Sequence, residues 1–143
     1  MTRIRRSLLL LVFALVGMPA WAADRNWTVL ASGDDLETRE QWQVSDTRLR
    51  ALPVFDPARA EPPLSPHQAT ALALAHAQQR YPGDAFVVTE INLQRFAHGT
   101  TVYPETAARD WVYLVNLEYN GRGWTQIIPV LLDGTLVSSD REG

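Results

Sequence analysis

The stretch that most limits how this chain can fold runs from Arg109 to Leu136, RDWVYLVNLEYNGRGWTQIIPVLLDGTL. Apolar residues recur on both sides of Asn120-Gly121, and both of those residues tolerate positive φ, the signature of a tight β-hairpin. A four-residue connection from Asn120 to Gly123 is the other way to close it. Either length sets odd positions of the first strand against even positions of the second. One face then carries Trp111, Tyr113, Val115, Leu117 and Tyr119 with Trp124, Gln126, Ile128, Val130 and Leu132. That face belongs to a core. The other carries Val112, Leu114, Asn116 and Glu118 with Thr125, Ile127, Pro129 and Leu131, so it is apolar at one end only. Such a hairpin needs cover on both sides, unlike an antiparallel sheet with one wet face. Pro129 has no N–H to donate, which puts its strand at an edge or at a bulge. Asp133-Gly134 makes a further tight turn, and TLVSS returns as a short last strand.

Cover for the first face lies upstream, in SPHQATALALAHAQQRYPGD. Ser65 is a suitable N-cap, Pro66 takes the first helical position and Gln68 completes a capping box. Tyr81-Pro82-Gly83 ends the helix. Ala69, Leu72, Ala73, His76 and Ala77 form one stripe, small enough to lie close to a sheet. In the following AFVVTEINLQRF, alternation places Val87, Thr89, Ile91 and Leu93 on one face and Glu90, Asn92 and Gln94 on the other. The polar run from His98 to Asp110 is a long connection. A helix followed by three long strands and a short fourth, all joined by hairpin-type connections, defines an α+β two-layer sandwich. One alanine-rich helix is expected on an antiparallel sheet of three to four strands.

The remainder is organised differently. ALPVFDPARAEPPL, residues 51 to 64, holds four prolines and reads as an extended linker. Before it, WTVLA and WQV predict two short strands, a β-type N-terminal extension. MTRIRR, the apolar SLLLLVFALVGM and the Ala20-Trp21-Ala22 site have the form of an export leader cleaved after Ala22. The expected organisation is therefore a leader over 1–22, an extension and linker over 23–64, and an α+β domain over 65–143. All 13 basic residues are arginine, and three leave with the leader, so ten face 16 acids and the mature chain carries about −6. That balance disfavours nucleic acid and anionic membrane surfaces as partners. No membrane insertion is expected after cleavage, and the expected location is periplasmic or secreted. With no cysteine, the fold must hold without disulfides.

The helix LSPHQATALALAHAQQRY, the strands VVTEINLQRF and WVYLVNLEY, and IIPVLLDGTLV running into Asp-Gly resemble the PepSY family of small exported bacterial domains. The resemblance covers about 75 residues and leaves out Ala23 to Leu64. It departs from the family at the last turn, where Asp133 and Gly134 are adjacent instead of separated by a spacer. It implies a cystatin-like helix-on-sheet topology and a non-catalytic envelope role, often suggested to be peptidase regulation or binding. It brings no catalytic residues.

Residue chemistry gives no reaction centre. His67 and His76 are nine apart and fall on different helix faces, which excludes an i, i+4 metal pair, and His98 stands alone. SGDDLE, from Ser32, lacks the alternating acids of a calcium loop. No serine sits in Gly-x-Ser-x-Gly. Among Glu90, Glu105, Asp110 and Glu118, no spacing singles out a catalytic pair. Asn26-Trp27-Thr28 matches a glycosylation sequon that has no role in a bacterial setting. No catalytic residue, metal site or cofactor is expected. The expected function is an exported, non-catalytic binding or regulatory domain contacting an envelope protein or peptide. The alternatives are a small-ligand carrier or enzyme using the aromatic sheet face with 98–110 as a lid, and a structural homodimer. The N-terminal pieces around Trp27 and Trp42 are the nearest cover for Val112, Leu114, Ile127 and Leu131. These six are also the candidate partner-contact residues, should the patch be bare.

Overall fold

A computed structural model of the protein describes residues 26–32, 40–96, 108–119, 125–137 and 139. The expected leader over 1–22, residues 33–37 of the SGDDLE stretch, His98 and Glu105 of the 98–110 connection, residues 120–123 of the expected turn and Trp124 lie outside the described residues. The elements are β1 (Asn26–Ser32), β2 (Glu40–Ser45), α1 (Asp46–Ala51), α2 (Pro66–Arg80), β3 (Phe86–Arg95), β4 (Trp111–Tyr119) and β5 (Thr125–Leu131). The class is α+β, with α2 against an antiparallel sheet in the order β3-β4-β5 and a separate antiparallel pair, β1-β2.

α2 forms as its sequence dictates. The Ser65 hydroxyl accepts from the Gln68 amide at 3.2 Å, and the Gln68 side chain accepts from the Ser65 amide at 3.0 Å. Ala69, Ala73 and Ala77 are fully buried. They meet Tyr113, Val115 and Leu117 of β4 and Ile128 and Val130 of β5 in one core cluster. Methyl groups at that spacing let the helix axis sit close to the sheet, so the large side chains of the sheet do most of the filling.

In β4–β5, Val112 faces Leu131 and Glu118 faces Thr125. This is the register of the four-residue connection; a two-residue Asn120-Gly121 turn would set Glu118 against Gly123. The expected faces hold in either case. β3 corrects the sequence reading. A bulge between Val88 and Glu90 inserts Thr89 as an unpaired residue. A single extra residue swaps the facing of everything before it. Phe86 and Val88, followed by Ile91 and Leu93, therefore pack under α2, whereas Val87 is 50% exposed on the opposite face and Thr89 is exposed.

Where two layers were expected, there are three. The second sheet face buries Val112, Leu114 and Leu131 against Val29, Trp42 and Val44 of the β1-β2 hairpin and Leu49 of α1, with Trp27, Leu30 and Ile127 packed alongside. β4 is thus buried on both faces, from Val112 through Val115. α1 was not anticipated. It starts on the Ser45 hydroxyl, which accepts from the Arg48 amide at 3.2 Å, with Asp46 in the first turn and Arg48 and Arg50 in the last, as the helix dipole favours.

The proline-rich segment is not the extended linker expected: it turns at Asp56, whose carbonyl accepts from the Arg59 and Ala60 amides at 3.0 and 3.1 Å, and it is tied to the fold on both sides. Phe55 donates its amide to the Ala108 carbonyl at 2.8 Å and sets its ring edge-on to Trp111 at 5.4 Å. Arg109 donates to the Leu52 carbonyl, and the buried Tyr113 hydroxyl donates to the Leu64 carbonyl at 3.0 Å. Leu52 belongs to the hairpin-side core, while Phe55 and Leu64 belong to the helix-side core. Among the described residues, the expected fourth strand reduces to two isolated bridges, Val130–Leu136 and Trp42–Ser139. That segment leaves the edge of one sheet and joins the edge of the other, making a corner between them.

Candidate functional site

The six candidate contact residues come together, but inside the molecule. Val112, Leu131, Trp42 and Leu114 are buried, and Trp27 and Ile127 are half-buried against them. Trp27 directs its indole N–H to Asp46 of α1 at 3.3 Å, an apolar body with a polar handle. Their mutual burial is the cover that the outer sheet face required, and the chain itself supplies it. The same packing occupies the surface through which a homodimer was considered.

The aromatic face is also filled. Tyr113 and Tyr119 are buried beneath α2, and Phe86 and Tyr81 stack edge-on to Tyr119 with centroids at 4.5 and 5.5 Å. Burial raises the Tyr113 hydroxyl above its ordinary value. Burial, followed by the neighbouring Tyr81, pushes that of Tyr119 up to about 12. Both are neutral phenols at physiological pH, as packing residues should be.

The acids and histidines do not converge. Asp110 is fully buried and held side-on by Arg95, with Nε 3.0 Å from both oxygens and Nη2 2.6 Å from Oδ2. Such a pair fixes the start of β4 to the end of β3, and Phe96 donates its amide to the Asp110 carbonyl at 2.9 Å beside it. Glu90 accepts from the Asn116 amide nitrogen at 2.8 Å across β3–β4. His67 is exposed near the start of α2, and His76 is half-buried further along it. No group of three or more metal-ligating side chains occurs among the described residues. No helix among them is long and apolar enough to cross a membrane.

Two surface features remain. The first is the outer edge of β3, a ten-residue strand whose sole paired neighbour among the described residues is β4. It carries Val87, which with Val54 is one of the two large apolar side chains that stand exposed among the described residues. The second is a recess of about 360 Å³ at the corner between the sheets, lined by Gln43, Val44, Ser45, Arg48, Leu131 and Thr135–Val137. Arg48 donates through Nη2 to Asp133 and to the Thr135 hydroxyl, the latter at 2.8 Å. Asp133 in turn accepts from the Thr135 amide at 3.0 Å and its hydroxyl at 2.7 Å. The sequence pointed to an edge only at the strand of Pro129, and singled out neither the β3 edge nor the recess. Nothing in local spacing ties Arg48 to Asp133, 85 positions away. Comparison of the chain with protein-family models, with curated proteins and with solved structures gave no match.

Proposed function

We propose that this protein is an exported, non-catalytic binding module of the bacterial cell envelope, holding an extended segment of a protein or peptide along the outer edge of β3. The observation that carries this reading is the ten-residue edge strand with one paired neighbour and an exposed valine on its surface. Main-chain groups along such an edge give affinity to any extended chain, and side chains at alternate positions give selectivity. The leader-like N-terminus and the PepSY resemblance support the envelope setting, and peptidase regulation is the role they suggest. The test is a photo-crosslinking residue placed at Val87, with one at exposed His67 as control, in an envelope fraction of the native cell. Discrete adducts from position 87 and none from position 67 are expected. Identical patterns from both positions, or turnover of an envelope substrate by the purified protein, would overturn the reading.

A further inference from the structure

The corner between the two sheets has a second opening, independent of the β3 edge. β2 and the C-terminal segment run antiparallel, and they are joined at one end by the Trp42–Ser139 bridge. At the other end, Arg48 closes the gap onto Asp133 and Thr135. The bridge is antiparallel, and Arg48 reaches from α1, just past the end of β2, to the turn that precedes the C-terminal segment. Between the two ties lies the recess, walled by Gln43–Ser45 on one side and Thr135–Val137 on the other. The molecule therefore holds two strand edges apart like the sides of an eyelet.

The chemistry of the C-terminal wall follows from its pairing with β5. Leu131 donates its amide to the Thr135 carbonyl at 2.8 Å, and Val137 donates to the Pro129 carbonyl at 3.2 Å. In an antiparallel ladder, successive residues turn their main-chain groups to opposite sides. Thr135 and Val137 point to β5, so the Leu136 N–H and C=O point away from it, across the recess toward β2. Val44, Leu131 and Val137 contribute buried apolar side chains to the lining. Arg48 uses Nη2 alone in its bonds to Asp133 and Thr135, leaving Nε and Nη1 as donors at the rim.

We infer that this eyelet binds an extended apolar peptide segment, which inserts between β2 and the C-terminal segment. Its backbone pairs with the Leu136 N–H and C=O, one apolar side chain enters against Val44, Leu131 and Val137, and a carbonyl meets Arg48. An amide backbone is the occupant these walls match, because one donor and one acceptor leave the same residue in the geometry of a strand edge. The Arg48–Asp133 pair leaves the rim without excess charge, which favours a neutral segment over an anion.

The test uses a blocked pentapeptide of alternating threonine and valine, titrated into the 15N-labelled protein. Saturable shifts of the Leu136, Val44 and Gln43 amides are expected. Leu136→Pro removes the recess-facing N–H while sparing both bonds to β5, and should weaken binding about tenfold, the worth of one backbone hydrogen bond. Gln43→Trp, at an exposed wall position, should block the site without touching the core and serves if the proline variant fails to fold. Shifts confined to Val87, Thr89 and their β3 neighbours would overturn this inference and leave the proposed function standing. Binding of N-acetylvaline amide as tight as that of the pentapeptide would overturn it too, since a small amide needs no second strand edge.

Discussion

Asp110 shows how much one side chain can hold. It is fully buried with one cationic partner, Arg95, whose side chain is about one-third exposed. Asp110→Ala strands Arg95, although partial access to water softens the loss, so unfolding in urea should show a destabilisation of about 3 kcal/mol. The double variant with Arg95→Met should recover part of that loss, because both charges are then gone. Tyr119 makes a different prediction. Its hydroxyl titrates higher in the fold than the ordinary 10.0, at about 12. The neutral form is the one the fold favours. The contribution is thus complete below pH 10 and is lost as pH rises from 10 towards 12. Thermal melts through that window should fall more steeply for the native protein than for Tyr119→Phe. Equal slopes would remove Tyr119 from the account.

Among the elements, α2 and β3 carry the clearest expectations. Ser65→Ala leaves the Gln68 amide without its cap and should cost about 1 kcal/mol. β3 offers a sharper comparison. Deleting a residue from a strand ordinarily turns half of it inside out. Deleting Thr89 removes the bulge instead, leaving Val88, Glu90 and Ile91 in regular alternation with their present facing. Its midpoint in denaturant should stay close to that of the native protein, whereas deletion of Asn92 should lower it markedly. This element also shows where the sequence was legible. Ser65, Pro66 and Gln68 act through neighbours a turn away, so the helix could be read locally. Thr89 looks like any strand residue, because its bulge is chosen by packing against β4, which alternation alone cannot register. α1 carried local signs in Ser45 and Asp46, but six residues are too few to establish a helical period. The Arg48–Asp133 tie left no trace, since its spacing is set by the corner and not by either segment.

At the scale of the whole molecule, the proline-rich segment and the shared sheet bind the two cores into one unit. Leu52 sits in one core and Phe55 in the other, three positions on. Unfolding should therefore be a single transition, with tryptophan fluorescence and far-ultraviolet circular dichroism coinciding. Separate midpoints would show that the β1-β2 hairpin detaches first. Trp42→Ala, which hollows the hairpin-side core, should cost about 3–5 kcal/mol and leave the outer sheet face partly bare. The faces of β4 and β5 were legible at this scale because two-residue periodicity alone determines them. The partner of the second face could be named as a region but not by its contacts, for Trp27 and Trp42 carry no mark of what they will touch. β4 is roofed on one side by α2 and floored on the other by the hairpin, with a strand along each flank. No local opening can bring water to its central amides, so their hydrogen–deuterium exchange should keep time with complete unfolding and with nothing smaller. The strand is in effect a built-in clock, and the slowest amide protons of the protein will report its global stability.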